Sequence, residues 1–293
     1  MTLDELLAAL PATGLGHVRF PRALLGAFRR KSITFCTGET DEATLVYWFQ
    51  SAKFTIDLRL PQARATPLAM RQGWTGGTLW DAETQRMSWA VARSYQPHEI
   101  WPEPAELRVI GNAVLEFAPT GAYVEDWRQQ SGKGPLLGLR LVELAEAASG
   151  ARHAMDGGLV IAGEHGAFAR SRLPQVDERI AGAGSVAAAL ERGVASADEI
   201  GSYEVSVALA GDTVSLGTQD WRIGQPLVAG EFAIARDGAV TLTDPRSGDV
   251  LRFVVDLYLR DFVFANASLA SAAALEWIAG ERAHIMPNGR VVR

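Results

Sequence analysis

The sequence predicts a mainly β protein made of two antiparallel barrel domains with a few short helices. Three observations lead there. The chain has 293 residues, more than one compact core usually holds, so two domains are expected. Phe54-Thr55-Ile56-Asp57-Leu58-Arg59-Leu60 alternates apolar and polar residues without a break and is ended by Pro61. Similar short runs recur at a spacing of roughly 8–12 residues with turn residues between them, the pattern of sandwiches and barrels.

The elements follow in order. Residues 2–10 predict an amphipathic helix: Thr2 can cap it, Glu5 stands three residues on, and Pro11 stops it. Leu3, Leu6, Leu7 and Leu10 share one face, which is expected to cover an end of the first domain. From Lys31 to about Glu146 the pattern is strand. Strands are expected within Leu45–Leu60 and at Trp74–Asp81, Met87–Tyr95, Glu106–Ile110, Ala113–Phe117, Tyr123–Gln129 and Leu136–Leu144. Gly76-Gly77, Gly111-Asn112 and Gly132-Lys133-Gly134 supply the turns.

Ala145–Asp156 is rich in Ala, Ser and Gly and is taken as the domain boundary, giving domains 1–150 and 151–293. The second domain opens with Gly158-Leu159-Val160-Ile161-Ala162-Gly163. A helical insertion near 180–200 interrupts it, with a helix from Ser185 to Arg192 capped by Ser185 and ended by Gly193. Strands resume at Tyr203–Leu209, Thr213–Leu216, Asp220–Ile223, Glu231–Ala235, Ala239–Thr243 and Val250–Phe264. Ser268–Ala279 suits either a helix or a closing strand. Phe253-Val254-Val255-Asp256-Leu257-Tyr258-Leu259 echoes the run around Asp57, which would fit an internal duplication.

Composition excludes several classes. Hydrophobic residues make up 48% and charged residues 21%, an ordinary globular balance. A net charge of −6 argues against nucleic acid as partner. Arg29-Arg30-Lys31 is the densest positive run and reads as a solvated turn or a phosphate contact. Cys36 is the single cysteine, so no intramolecular disulfide forms and a reducing compartment is expected. Its apolar setting predicts a buried, inert thiol. The N-terminus carries acid where a signal peptide carries base, and no stretch of about 20 apolar residues exists. A cytoplasmic protein with no membrane partner is expected.

A family resemblance rests on Val46-Tyr47-Trp48-Phe49-Gln50 followed by Ile56-Asp57-Leu58-Arg59-Leu60-Pro61. These runs resemble a bacterial family with a Trp-Leu-Gln…Asp-Ile-Arg-Ile-Pro signature. Trp89 to Arg93 with Tyr95-Gln96-Pro97, Tyr123-Val124-Glu125-Asp126-Trp127-Arg128, and Gly158 to Gly163 fit the same pattern, with an echo at Asp220-Trp221-Arg222-Ile223. The family is similar to fungal proteins built of two lipocalin-like barrels in tandem. The resemblance spans roughly residues 44–170 and implies two lipocalin-like barrels; it transfers no catalytic residues. Phe49 and Ser51 depart from the expected Leu and Thr.

Asp57 and Arg59 lead the candidate site residues. Two apart on a strand, they point to one face and can meet or jointly hold a polar ligand. If the apolar partners of that run fill the barrel, the pair faces outward as a structural ion pair; if the barrel holds a polar cavity, the pair faces in. Tyr123, Glu125 and Trp127 also share a face, which suits a pocket wall. Glu125 is then an acid or base with a raised pKa, or the buried partner of Arg93 or Arg59. Trp48, Trp74, Trp80, Trp89, Trp101 and Trp127 either line a ligand site or fill the barrel. His17, His98, His153, His165 and His284 lack metal-motif spacing, so no metal is expected, and no cofactor. His98 reads as a loop residue and His165 as a hairpin tip. Gly-x-Ser-x-Gly and the P-loop are absent; Gly182-Ala183-Gly184-Ser185 opens a helix that can bind an anion.

The expected function is binding of an apolar or amphipathic small molecule in the first barrel, held by Trp48, Asp57, Arg59, Trp89, Arg93, Tyr123, Glu125 and Trp127. One alternative is an isomerase, hydratase or lyase, with Glu125 or Asp57 as acid or base and Arg59 or Arg93 stabilising an oxyanion. Another is a scaffold protein without a pocket.

Overall fold

The computed structural model describes residues 1–16, 18–97 and 103–288. The readings made for His17, His98 and Trp101 lie outside the described residues.

The alternating runs of the first half form β1 (Gly26–Phe35), β2 (Thr40–Asp41), β3 (Leu45–Gln50), β4 (Phe54–Leu60), β5 (Gln72–Asp81), β6 (Arg86–Ser94), β7 (Ala105–Ile110), β8 (Ala113–Phe117) and β9 (Tyr123–Gln129). Their order is β2-β1-β3-β4-β5-β6-β7-β8-β9, and β1 also pairs with β9. All but the two-residue β2 therefore close an eight-stranded antiparallel barrel. Among the eight barrel strands, the ladder between β6 and β7 is the shortest described, with Arg86 opposite Glu106 and Met87 opposite Ala105.

Directly opposed residues share a face of a sheet. Phe28 lies opposite Trp48, Trp48 opposite Asp57, and Asp57 opposite Trp74, so this row lines the barrel interior. Ala27, Phe49, Ile56 and Thr75 form the matching outer row. Phe54, Ile56, Leu58 and Leu60 are thus outside the barrel, yet buried, because the second sheet covers them.

That sheet contains β10 (Lys133–Ala145), β11 (Arg152–Ala162), β12 (His165–Arg170), β13 (Glu204–Ala208), β14 (Leu216–Gly217), β15 (Glu231–Ile234), β16 (Val240–Thr243) and β17 (Val250–Val263). Its order is β14-β13-β12-β11-β10-β17-β16-β15. Its edge strands β14 and β15 share no ladder among the described residues. The change of sheet comes between Gln129 and Lys133, ahead of the compositional boundary at 145–156. Within that stretch, Glu146–Ala151 is the turn joining β10 to β11, and small residues serve a hairpin turn as well as they serve a linker.

The two sheets meet at close range where glycine permits it. A Cβ on Gly158 would lie 2.7 Å from the Phe54 ring, and one on Gly138 would lie 2.7 Å from Ser51 Cβ. Ser51 Oγ donates to Asp256 across this contact at 2.6 Å, and Lys53 N donates to the same oxygen at 2.9 Å. Arg140 stacks on Phe54 at 5.2 Å and donates to Thr75 Oγ1 at 2.9 Å. Burying each large apolar side chain here contributes about 1.5–3 kcal/mol. Asp57 and Asp256, twins in the sequence echo, therefore face different surroundings: one points into the barrel and the other ties the barrel to its neighbour.

Helix α1 (Leu3–Ala9) has the expected capping box, with Glu5 N donating to Thr2 Oγ1 and Thr2 N to Glu5 Oε2. Its destination differs from the expectation. Leu6 and Leu10 pack into the core of the second sheet with Leu139, Phe253 and Leu227. Met1 and Phe232 exchange backbone hydrogen bonds of 2.9 Å, which holds the helix to β15. An amphipathic helix records that it needs an apolar surface, not which one.

Helices α2 (Pro174–Ala183), α3 (Val186–Glu191) and α4 (Ala197–Gly201) fill the insertion. Ser185 caps α3 as expected, accepting from Ala188 N at 3.0 Å, and Gly184 at φ 85° makes the turn before it. Gly182–Ser185 is therefore a helix–helix corner. Arg172, 1% exposed, lies between the rings of Tyr95 and Tyr203 and donates to the carbonyls of Ser94, Tyr95 and Ile200. It ties the barrel, the second sheet and the helices together. The ambiguous Ala-rich stretch is helix α5 (Ala272–Ile285), capped by Ser271. No helix among the described residues is long and apolar enough to cross a membrane.

Candidate functional site

The barrel interior is unusually polar for a filled core. On β8, Val114 and Glu116 alternate inward; on β9, Glu125 and Trp127 do the same, and Glu116 lies directly opposite Glu125. Like charges in directly opposed positions repel. Both glutamates are buried, each 4% exposed. Trp127 Nε1 donates to both, at 3.1 Å to Glu116 Oε2 and 3.1 Å to Glu125 Oε2.

Arg30 reaches the pair from β1. Its guanidinium donates to Glu125 Oε1 at 2.7 Å and to Asp41 Oδ2 at 3.2 Å. The ladder shifts between Arg30 and Ser32, and this bulge re-aims the strand there. Arg30 pairs with Glu125, whereas Glu116 receives the indole of Trp127 and the hydroxyl of Tyr123 at 3.3 Å. Burial, and then the charge of Glu125 across the ladder, push Glu116 up to about 8. Burial and the two carboxylates also raise the Tyr123 phenol. At neutral pH Glu116 therefore carries a proton and can donate it, while its neighbours hold an arginine cation.

Asp57 and Arg59 complete this end. Arg59 Nε donates to Asp57 Oδ1 at 2.8 Å, and the positive charge of Arg59 also acts on Glu116 and Tyr123. Asp57 is 2% exposed, whereas the Arg59 side chain is 21% exposed, so the pair runs from the interior to the surface. Trp48 supplies an aromatic floor: it stacks on Phe28 at 4.6 Å and meets Trp127 edge-on at 5.7 Å. At the opposite end of the barrel Phe20 meets Trp80 edge-on at 6.0 Å, beside a cavity of about 300 Å³ that both rings line.

Six residues singled out from the sequence, Trp48, Asp57, Arg59, Tyr123, Glu125 and Trp127, lie together on this inner face. Trp89 packs edge-on against Trp74 at 6.1 Å, a second aromatic pair of the barrel. Arg93 is not in the site. It donates to the Ala154 carbonyl at 2.9 Å and lies 3.8 Å from Asp177, on the side facing α2 and the second sheet. It lies opposite Thr75, which belongs to the outer row, so strand parity excludes it. Glu125 accordingly pairs with Arg30.

Two residues of the site escaped the sequence reading. Arg30 sits in the basic run read as a turn, though it alternates with the apolar Phe28. Glu116 shares parity with Val114 in a strand that was recognised, and a carboxylate in phase with an apolar residue was the signal. Cys36 also differs: it follows the last residue of β1 and is exposed. His165 opens β12 and is buried, its imidazole held below its ordinary pKa by burial. No group of three or more His, Cys, Asp or Glu side chains suited to a metal occurs among the described residues. No family model, curated protein or solved structure matches the chain.

Proposed function

We propose that this chain is an intracellular small-molecule-binding protein whose first barrel acts as a lipocalin-like calyx for an amphipathic ligand. The carrying observation is the Glu116–Glu125 pair, two buried carboxylates in direct opposition sharing one indole N–H. Such an arrangement costs stability, and cost retained in a barrel interior points to use. The ligand's polar group would meet Glu116, Tyr123 and Arg30, and its apolar body would rest on Trp48 and Trp127. Site walls of aromatic rings with a few converging polar groups are the usual form of small-molecule sites.

Native against denaturing mass spectrometry of freshly purified protein tests this reading. A retained mass, lost on denaturation and lost from Glu116→Gln or Trp127→Phe, supports it. A retained ligand that both variants hold as tightly as the parent chain would move the site elsewhere.

A second reading has its own support. Glu116 as a proton donor beside Tyr123 is suited to general acid catalysis of the isomerase, hydratase or lyase type. Turnover of the retained ligand, with a pH profile that Glu116→Gln abolishes, would favour the enzyme.

A further inference from the structure

We propose that a second site, a pocket at the end of β12 and β13 in the second sheet, binds a small organic monocarboxylate with a short apolar tail. The pocket has a volume of about 90 Å³ and an apolar wall that includes Phe168, Leu242 and Leu251. Its polar rim carries Arg170, Trp221, Arg222 and Arg246. It is separate from the barrel interior described above.

The rim is built around an exposed tryptophan. Trp221 is 52% exposed, an uncommon state for so large an apolar ring. It belongs to Asp220–Arg222, which forms a 3-10 turn rather than the expected strand. The Arg246 guanidinium lies 4.4 Å from its ring centroid, and that of Arg222 lies 5.4 Å away. Cation–π contact on the ring fixes both cations at the mouth.

The three arginines have different partners. Arg222 is buried and satisfied: it donates to Glu204 Oε1 at 2.6 Å and to the Leu227 carbonyl at 2.6 Å. Ser206 Oγ donates to the same Glu204 oxygen at 2.7 Å. Among the described residues, the Arg170 side chain has no hydrogen-bond or ion-pair partner; Arg246 donates its backbone N–H to Asp244 Oδ1 at 2.8 Å, but its guanidinium has no carboxylate partner. Two guanidinium forks at one mouth therefore have donors to spare, and such forks suit a carboxylate.

Charge and size narrow the ligand. Three arginines face two carboxylates, Glu204 and Asp244, so the lining holds a surplus of one positive charge. A monoanion neutralises it, whereas a dianion such as phosphate would leave the site negative beside those carboxylates. Taking about 30 Å³ for a water-sized group, the cavity admits a tail of about three carbons, with the carboxylate at the arginine rim.

Ligand-observed saturation-transfer NMR with butanoate, 1-butanol and inorganic phosphate tests the assignment on the full chain. Butanoate is expected to bind saturably, 1-butanol is not, and phosphate is not expected to displace butanoate at equal concentration. Arg170→Gln and Arg246→Gln should each weaken butanoate about tenfold, and Arg108→Gln on the exposed part of β7 should leave it unchanged. Absence of saturable butanoate binding overturns the proposal, as does binding that neither arginine variant weakens. Equal binding of 1-butanol would remove the role of the arginines, and displacement by phosphate would remove the monocarboxylate selectivity. Should Arg170→Gln fail to fold, Arg246→Gln on its exposed turn tests the same rim.

Discussion

Glu116→Gln is the substitution that most directly probes the barrel interior. In the folded chain Glu116 is raised from 4.5 to about 8, first by burial and then by Glu125 opposite it. The sign of the effect on stability follows. Below about pH 4.5 the group is protonated in both states and contributes nothing. As pH rises from there, the unfolded chain releases its proton while the folded chain keeps it, so stability falls. The loss is complete above about pH 8. One proton held in this way changes stability by about 1.4 kcal/mol per pH unit over the affected range. Between about pH 5.5 and pH 8.5 the loss is on the order of 3 kcal/mol. Glutamine keeps an oxygen for the Trp127 indole and removes the charge, so the variant should lack this fall. Asp177, raised to about 6 chiefly by burial, also titrates in the window, which makes the difference between variant and parent the diagnostic quantity. Urea unfolding followed by tryptophan fluorescence at the two pH values measures it. The variant should gain about 3 kcal/mol on its parent as pH rises. A parent and variant with parallel pH dependence would refute the account of a proton held at Glu116.

Three further outcomes follow from other parts of the molecule. Arg30→Gln strands Glu125 without its cation and should destabilise the protein by about 3–5 kcal/mol, read as a lowered urea midpoint at neutral pH; a change within error of zero would mean that the pair contributes nothing. Gly138→Ala pushes a methyl group into Ser51 and disturbs its bond to Asp256, so a loss of about 1–3 kcal/mol is expected in thermal unfolding; an unchanged midpoint would show that the two sheets can separate slightly at no cost. Cys36, exposed beyond β1, should be labelled by a thiol reagent in the native protein at the same rate as in urea-unfolded chain, within about tenfold; labelling that waits for unfolding would place the thiol inside.

The sequence by itself determined the local elements. Period-2 alternation marked β4, because alternate side chains of any strand meet opposite environments. The capping box at Thr2 and the cap at Ser185 were readable because a cap is a contact between residues three apart. The tertiary structure alone decided what each face meets. Alternation separates Asp57 and Arg59 from Ile56 and Leu58 without saying which set is inside, and the second sheet settled it by burying the outer apolar row. The destination of α1 and the opposition of Glu116 and Glu125 were hidden for the same reason: each depends on packing between elements or on ladder register. Local alternation in one strand carries no information about which residue of another strand lies across from it, and that register is what put two carboxylates against one indole.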